Sequence, residues 1–345
     1  MSVVDAAWAV LPEPLRRAMR RVKREVLLRR AYWRLTRVAR NPSTYNEKIV
    51  WKMAHDRRPV LRRFADKVAA RDYVAHVAGA HLLPRVHAVV ADPAELDWAA
   101  LPRQYALKVS HASGGVILVW DGAPPDATLP EVGAPVEWER WVVRPDNADR
   151  ARIESLCRQW LQRSFEWLPG RHPEWAYRRI PRRILVEELL TDAAGGLPLD
   201  YKFHMFDGVC RAVLVKSDQF AQARQDLMTA GWEPLPVTKQ GIPRSDPPPP
   251  RPPALEAMLA VAEELSRGLD FVRVDLYAIG ERVVFGELTN YPAAAMNVFD
   301  PPDVDLLWGS YWTTDPHPWW RRVARRQPVG SRHRGRGGAR GRAEW

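Results

Sequence analysis

The stretch FVRVDLYAIGERVVFGELTN, residues 271–290, constrains this chain more than any other. Val272, Val274 and Leu276 alternate with Arg273, Asp275 and Tyr277, the period-two pattern of a half-buried strand. Gly280-Glu281 is a turn signal, and residues 283–287 return as a second strand. Such a hairpin carries Arg273 and Asp275 on one face and brings Glu287 close to them. An arginine and two carboxylates on neighbouring strands suit a hard cation and a phosphate. Mg²⁺ takes oxygen ligands and shares them with phosphates, and a guanidinium grips phosphate with a fork of donors. Alone, the same residues also describe a salt-bridged surface hairpin, so the rest of the chain must decide.

Upstream, Asn41 to Lys48 breaks a basic helix and offers Ser43 or Thr44 as cap for the next one. Residues 64–74 read as one short helix, with Asp66, Lys67 and Arg71 near its start. Tyr105 to Ser110 reads as a strand, 111–115 as a small Gly-rich loop, and Val116 to Trp120 as the returning strand. A loop of that kind folds over phosphates because its backbone N–H groups are unobstructed; an ordinary hairpin loop has the same letters. Residues 131–180 are rich in Trp, and a helix spans 153–165. Those tryptophans suit packing, with sugar stacking as the alternative. Arg183 to Leu190 is a buried strand ending in two acids, and 200–206 and 209–215 form a hairpin about Asp207-Gly208. The prolines at 247–253 exclude a central strand or helix there and mark a surface loop. A helix over 255–265 leads into the 271–290 hairpin.

Charge is unevenly spread. Residues 13–40 hold eleven Arg or Lys against two Glu, and residues 321–345 nine Arg against one Glu. These ends carry +17 of a net +11, leaving the body at −6. The basicity is therefore no argument for a nucleic-acid-binding core, and no specific nucleic-acid partner is expected. In the first basic stretch Leu15, Met19, Val22 and Val26 form a helical stripe, which suits an anionic membrane surface or docking on the protein's own body. The R/G-rich tail is expected to be disordered. No apolar run approaches the ~20 residues of a bilayer span, and no signal-peptide pattern opens the chain. Cys157 and Cys210 are far apart and read as reduced. The expected location is cytoplasmic, at the periphery of the inner membrane face.

Six motifs occur in order: DKxxxR (66–71), LKxSHxSGG (107–115), ILVEELL (184–190), DYKF (200–203), FVRVDLY (271–277) and FGELT (285–289). With NPSTYNEKI (41–49) ahead of them, the set resembles the TupA-like branch of the ATP-grasp superfamily, named for teichuronopeptide biosynthesis, over roughly residues 41–310. The resemblance implies an α+β ATP-grasp fold, in which two lobes clamp ATP, with an added N-terminal helix and C-terminal tail. The divisions it suggests are a basic helix at 1–40, an N-terminal lobe at 41–104, a lid with the Gly-rich loop at 105–190, a catalytic lobe at 191–320 and the tail at 321–345.

It also implies roles. Lys67 and Lys108 match the lysines that reach the nucleotide phosphates. Ser113, Gly114 and Gly115 match the loop that closes over them. Glu187, Glu188, Leu189 and Leu190 match the hinge strand that reads adenine, one of the acids taking ribose. Lys202 faces the phosphates or the acceptor. Asp275 and Glu287 match the Mg²⁺ ligands, Mn²⁺ being the substitute, with Arg273 beside the transferring phosphoryl group. The asparagine common in the superfamily two residues after the second acid is Thr289 here, with Asn290 following, so either completes the metal set. The implied chemistry is ATP-dependent joining of a carboxylate and an amine through an acylphosphate, in cell-envelope polysaccharide synthesis with an acidic polysaccharide as one substrate. The alternatives are an ATP-dependent kinase, a glycosyltransferase-associated protein of polysaccharide synthesis, and a non-enzymatic module that binds anionic polymers or membranes.

Overall fold

The computed structural model describes residues 13–38, 40–168, 170–217 and 223–314. The expected tail at 321–345 lies outside them. Two five-stranded sheets organise the described residues. The first contains β1 (Val86–Val90), β2 (Tyr105–Val109), β3 (Val116–Val119), β4 (Arg140–Val143) and β5 (Ile184–Glu188), in the order β1-β5-β2-β3-β4. All its neighbours are antiparallel except β3 and β4. Strand β1 comes from within residues 41–104, and β2 to β5 from within 105–190. The second sheet contains β6 (Asp200–Phe206), β7 (Val209–Ser217), β8 (Arg224–Met228), β10 (Phe271–Ile279) and β11 (Arg282–Thr289), in the order β11-β10-β6-β7-β8. A two-stranded ribbon pairs β9 (Thr238–Lys239) with β12 (Phe299–Asp300).

Alternation along β10 has a direct cause. Val272, Val274 and Leu276 are buried against Leu255, Met258, Ala262 and Leu265 of helix α6 (Leu255–Ser266). Each such side chain contributes about 1.5–3 kcal/mol of burial. The opposite face is thereby left to Arg273, Asp275 and Tyr277. The first sheet is covered in the same way by α5 (Arg150–Gln162), whose Ile153, Leu156, Cys157 and Trp160 meet Leu107, Ile117 and Val186. Trp160 is fully buried, so it packs rather than offering a surface to sugars. Cys157 and Cys210 are buried free thiols.

Two helical expectations are corrected. Helix α1 (Glu13–Val38) docks through Leu28, Tyr32 and Leu35, at 4-3 spacing. Of the expected stripe, the side chains described, Val22 and Val26, are exposed. The basic face could not reveal which of several apolar lines would dock. The helix expected over 64–74 is two helices, α3 (Pro59–Ala65) and α4 (Lys67–Val74). Asp66 is extended between them, and its side chain accepts from the Val68 N–H as N-cap. Aspartate favours a cap over a helix interior because it competes for backbone donors. The α2 helix (Tyr45–His55) starts at Thr44, which forms a capping box with Glu47. α7 (Asp303–Ser310) packs its Trp308 against Tyr45 of α2. None of the described helices is long and apolar enough to cross a membrane.

Candidate active site

Register places the inner-face residues of the second sheet in rows. Asp275 of β10 is opposite Glu287 of β11 on one side and Lys202 of β6 on the other. Arg273 is opposite Thr289 and His204. A bulge makes the first row possible. Leu276 pairs with Phe285 while Asp275 pairs with Glu287, so Gly286 is the extra residue. A Cβ on Gly286 would lie 3.0 Å from the Asp275 carbonyl oxygen and 3.0 Å from the Tyr277 ring. Without a side chain there, β11 turns Glu287 toward the cleft.

The row is densely ion-paired. Arg273 Nε donates to Asp275 Oδ1 at 2.6 Å and its Nη2 to Oδ2 at 2.6 Å. The same Nη2 donates to Glu287 Oε1 at 2.8 Å and Thr289 Oγ1 at 2.9 Å, and the Thr289 hydroxyl donates to Glu287. Lys202 Nζ donates to Asp275 Oδ2 at 2.5 Å and pairs with Asp200 at 2.6 Å. Asp275 is 2% exposed, whereas the Glu287 side chain retains 38%. Burial alone would raise the Glu287 carboxyl, but Arg273, Lys202 and Lys67 outweigh it and hold it well below the usual range.

The facing wall comes from the first sheet and α4. Lys67 opens α4; its N–H donates to the Ser110 carbonyl at 3.0 Å and its ammonium to the Ala112 carbonyl, fastening the helix start to the 110–115 loop. Burial lowers the Lys67 pKa and nearby Lys108 adds to this, against the pull of Glu287 and Glu187. Lys108 pairs with Glu187 at 2.7 Å, and Arg71 grips the other Glu187 oxygen. Glu188 pairs with Arg282 at 3.1 Å, linking β5 to the tip of the β10–β11 hairpin. Gly114 bends the loop at φ +98°; a Cβ there would meet the Trp138 carbonyl oxygen at 2.5 Å.

One cavity of about 370 Å³ joins the two walls. Lys67, Lys108, Ser113, Gly114, Glu187, Glu188, Leu189, Leu190, Lys202, Arg273, Asp275 and Glu287 all line it. Gly115 lies behind the loop and is buried. Thr289 is not among the lining residues; its hydroxyl meets Arg273 and Glu287. Asn290 is not brought to the site. It falls on the opposite strand face from Glu287, is 3% exposed, and donates to the Leu61 carbonyl at 2.8 Å. Counting from Glu287, three residues earlier, would have placed it on the other face. The sequence reading missed Asp200, Lys216, Tyr277 and Arg140, which also line the cavity. Parity from Lys202 would have found Asp200. Lys216 and Arg140 carry no comparable signal.

Among the described residues no three His, Cys, Asp or Glu side chains are grouped to hold a metal ion. Asp275 and Glu287 nevertheless stand side by side on the wall, which fits Mg²⁺: it commonly takes one or two carboxylates and completes its shell with phosphate and water oxygens. Seven cationic side chains and five carboxylates line the cavity, a surplus of two. Mg-bound ATP, at about −2, would balance it.

Two sheets closing on a cleft lined with lysines and paired carboxylates define the ATP-grasp class. The chain belongs to the TupA-like ATP-grasp family, whose model matches residues 47–313. No curated protein matches the sequence. The structure is distantly similar to three solved proteins. They are N5-carboxyaminoimidazole ribonucleotide synthetase from Thermus thermophilus (13% identity, 68% of this chain and 48% of that one, TM-score 0.37), D-alanine–D-alanine ligase from Bacillus anthracis (13%, 68% and 59%, 0.34) and the macrocyclase MdnC bound with precursor peptide MdnA from Microcystis aeruginosa (12%, 81% and 66%, 0.36). The chain spans about half the length of the first solved structures it matches, 53% and 52% of two complexes of the ATP-grasp ligase PsnB. The assignment rests on the family match and the cleft.

Proposed function

We propose that the protein is an ATP-dependent ligase that joins a carboxylate to an amine through an acylphosphate. The observation that supports this reading is that Lys67 and Lys108 from one wall and Arg273, Asp275 and Glu287 from the other line a single cavity. The γ-phosphoryl group passes from ATP to a carboxylate oxygen, leaving ADP; the amine then attacks the acyl carbon and phosphate departs. Lys67 and Lys108 neutralise phosphate charge on the lid side. Arg273, with Lys202 beside it, holds the transferring group. These residues position two reactants and stabilise charge rather than form covalent bonds. Asp275 and Glu287 are the groups to hold Mg²⁺, which when bound offsets phosphate charge. Leu185, Leu189, Leu190 and Leu197 give the apolar wall that suits adenine. The Ser113–Gly114 loop shields the acylphosphate from water.

Mg·ATP consumption, screened against amino acids and uronic-acid oligosaccharides with hydroxylamine as trap, tests the reaction. ADP with a hydroxamate supports the ligase, whereas ADP with a phosphorylated hydroxyl product points to a kinase. Absence of ATP binding sinks both. Work on a cell-envelope polysaccharide is the substrate proposal that goes with the family's resemblance to teichuronopeptide synthesis. The exposed Val22, Val26, Leu27 and Trp33 of α1, with Arg37 over the Trp33 ring, support contact with an anionic membrane surface. Flotation with phosphatidylserine vesicles tests it, since loss of residues 1–40 should abolish binding.

A further inference from the structure

Two of the six sequence motifs carry polar residues that nucleotide binding leaves without a role: Asp66 in the first and Ser110 in the second. Neither lines the cavity, and both are buried, at 5% and 0% exposed. They meet in a knot with Arg183, the residue before β5. The Ser110 N–H donates to the Arg183 carbonyl at 2.9 Å, and the Arg183 N–H donates back to Ser110 Oγ at 3.0 Å. The Ser110 hydroxyl donates to the Pro181 carbonyl at 2.7 Å. Its carbonyl accepts the Lys67 N–H. The Arg183 guanidinium crosses to Asp66, donating from Nη2 to Oδ2 at 2.7 Å. Asp66 Oδ1 meanwhile caps α4 through the Val68 N–H at 3.0 Å. The two oxygens of Asp66 thus serve two separate contacts.

Three parts on which the nucleotide reading relies start at this knot: α4 with Lys67 first, the 111–115 loop, and the hinge strand β5. The segment that arrives at Arg183 is itself fixed, because Ala176 and Ile180 are buried in one core with Leu61 and Ala65 of α3. Among the described residues, three polar links hold the start of α4 here: the Lys67 N–H, the Lys67 ammonium on the Ala112 carbonyl, and the Asp66–Arg183 pair. Arg71 fastens the far end of the helix to Glu187. A Lys67 ammonium that turns to a phosphate gives up Ala112, whereas the Asp66–Arg183 pair stays in place. We propose that Asp66 and Arg183 are positioning residues for ATP: their ion pair holds the start of α4 against the phosphate loop, so that Lys67 and the Ser113–Gly114 loop face the same phosphates. This rests on the reading of the cleft as a nucleotide site.

The test compares Mg·AMPPNP with adenosine, which has no phosphates, by calorimetry on the full-length protein. Asp66→Asn keeps a good cap for α4 but loses the ion pair. Arg183→Met leaves the cap untouched and loses the same pair, so it decides the matter if Asp66→Asn does not fold. Each should weaken AMPPNP binding about tenfold and leave adenosine affinity within about twofold. Arg183→Lys, which keeps one charged donor toward Asp66, should retain AMPPNP affinity within about twofold. A loss that falls equally on adenosine is a general structural effect and overturns the proposal. AMPPNP affinity unchanged in both variants overturns it too. So does tighter binding in Asp66→Asn, the sign expected if the residue acted through its negative charge alone. Those results leave the nucleotide reading standing, whereas a wild type that binds neither AMPPNP nor adenosine overturns both.

Discussion

Strand β10 has a buried ion-pair network at its start and another in its middle, and the two have different consequences. At the start, Asp270 pairs with Lys52 at 2.6 Å and with Arg58, and Asp56 takes the same two cations. Two acids meet two bases, Lys52 is fully buried, and none of the four lines the cavity. In the middle, Arg273, Lys202, Asp275, Asp200 and Glu287 are paired just as closely, yet all five line the cavity, and three acids there meet only two bases. Pairing alone does not mark a site. An open wall and a local charge imbalance do, because both await a ligand.

That contrast can be broken in four ways. The largest effect is expected at Glu287→Gln. Mg-dependent ATP turnover should fall by about 10²–10³, with the thermal midpoint nearly unchanged. Asp275→Asn should act in the same direction. Turnover retained in both would take the pair out of the metal set.

Lys52→Met should do the opposite, lowering stability by about 3 kcal/mol in urea denaturation because Asp270 and Asp56 lose a buried partner. AMPPNP affinity should stay constant; a parallel loss of affinity would erase the distinction between the two networks. Smaller is the acid response. Burial would raise Asp270, but Lys52 and Arg58 hold its carboxyl below the ordinary value. A depressed folded pKa contributes stability that is present above the unfolded value of about 3.9 and lost as pH falls from there through the folded value. Denaturation midpoints should therefore drop below about pH 4 in the wild type, and less steeply in Lys52→Met.

The smallest effect tests strain just past β11. Ala293, Ala294 and Ala295 all have left-handed φ, at 52°, 50° and 63°. Ala294→Gly should raise stability by about 0.5–1 kcal/mol. A destabilised glycine variant would mean that the backbone is comfortable there.

The sequence was most readable where one face of an element is buried. The β10–β11 hairpin, β6, β7, α5 and α6 all announce themselves by period, because a core-facing row must be apolar. Strands β1, β4 and β8 did not: VHAVV is short, RWVV sits among Trp and Arg, and RQDLM does not alternate. The break at Asp66 was missed for a related reason, since capping depends on where the chain turns rather than on composition.

By itself the sequence determined that Arg273 and Asp275 share a face of 271–279, since side-chain direction in a regular strand follows from counting. Only the tertiary structure decided what stands opposite them. The bulge at Gly286, the start of α4 at Lys67, the pairing of His204 with Arg273 and the placement of Lys216 in the cavity wall all depend on long-range contacts. Charges become a site through distances of a few ångströms between segments far apart in the chain, because their energy depends on separation and burial rather than on sequence order.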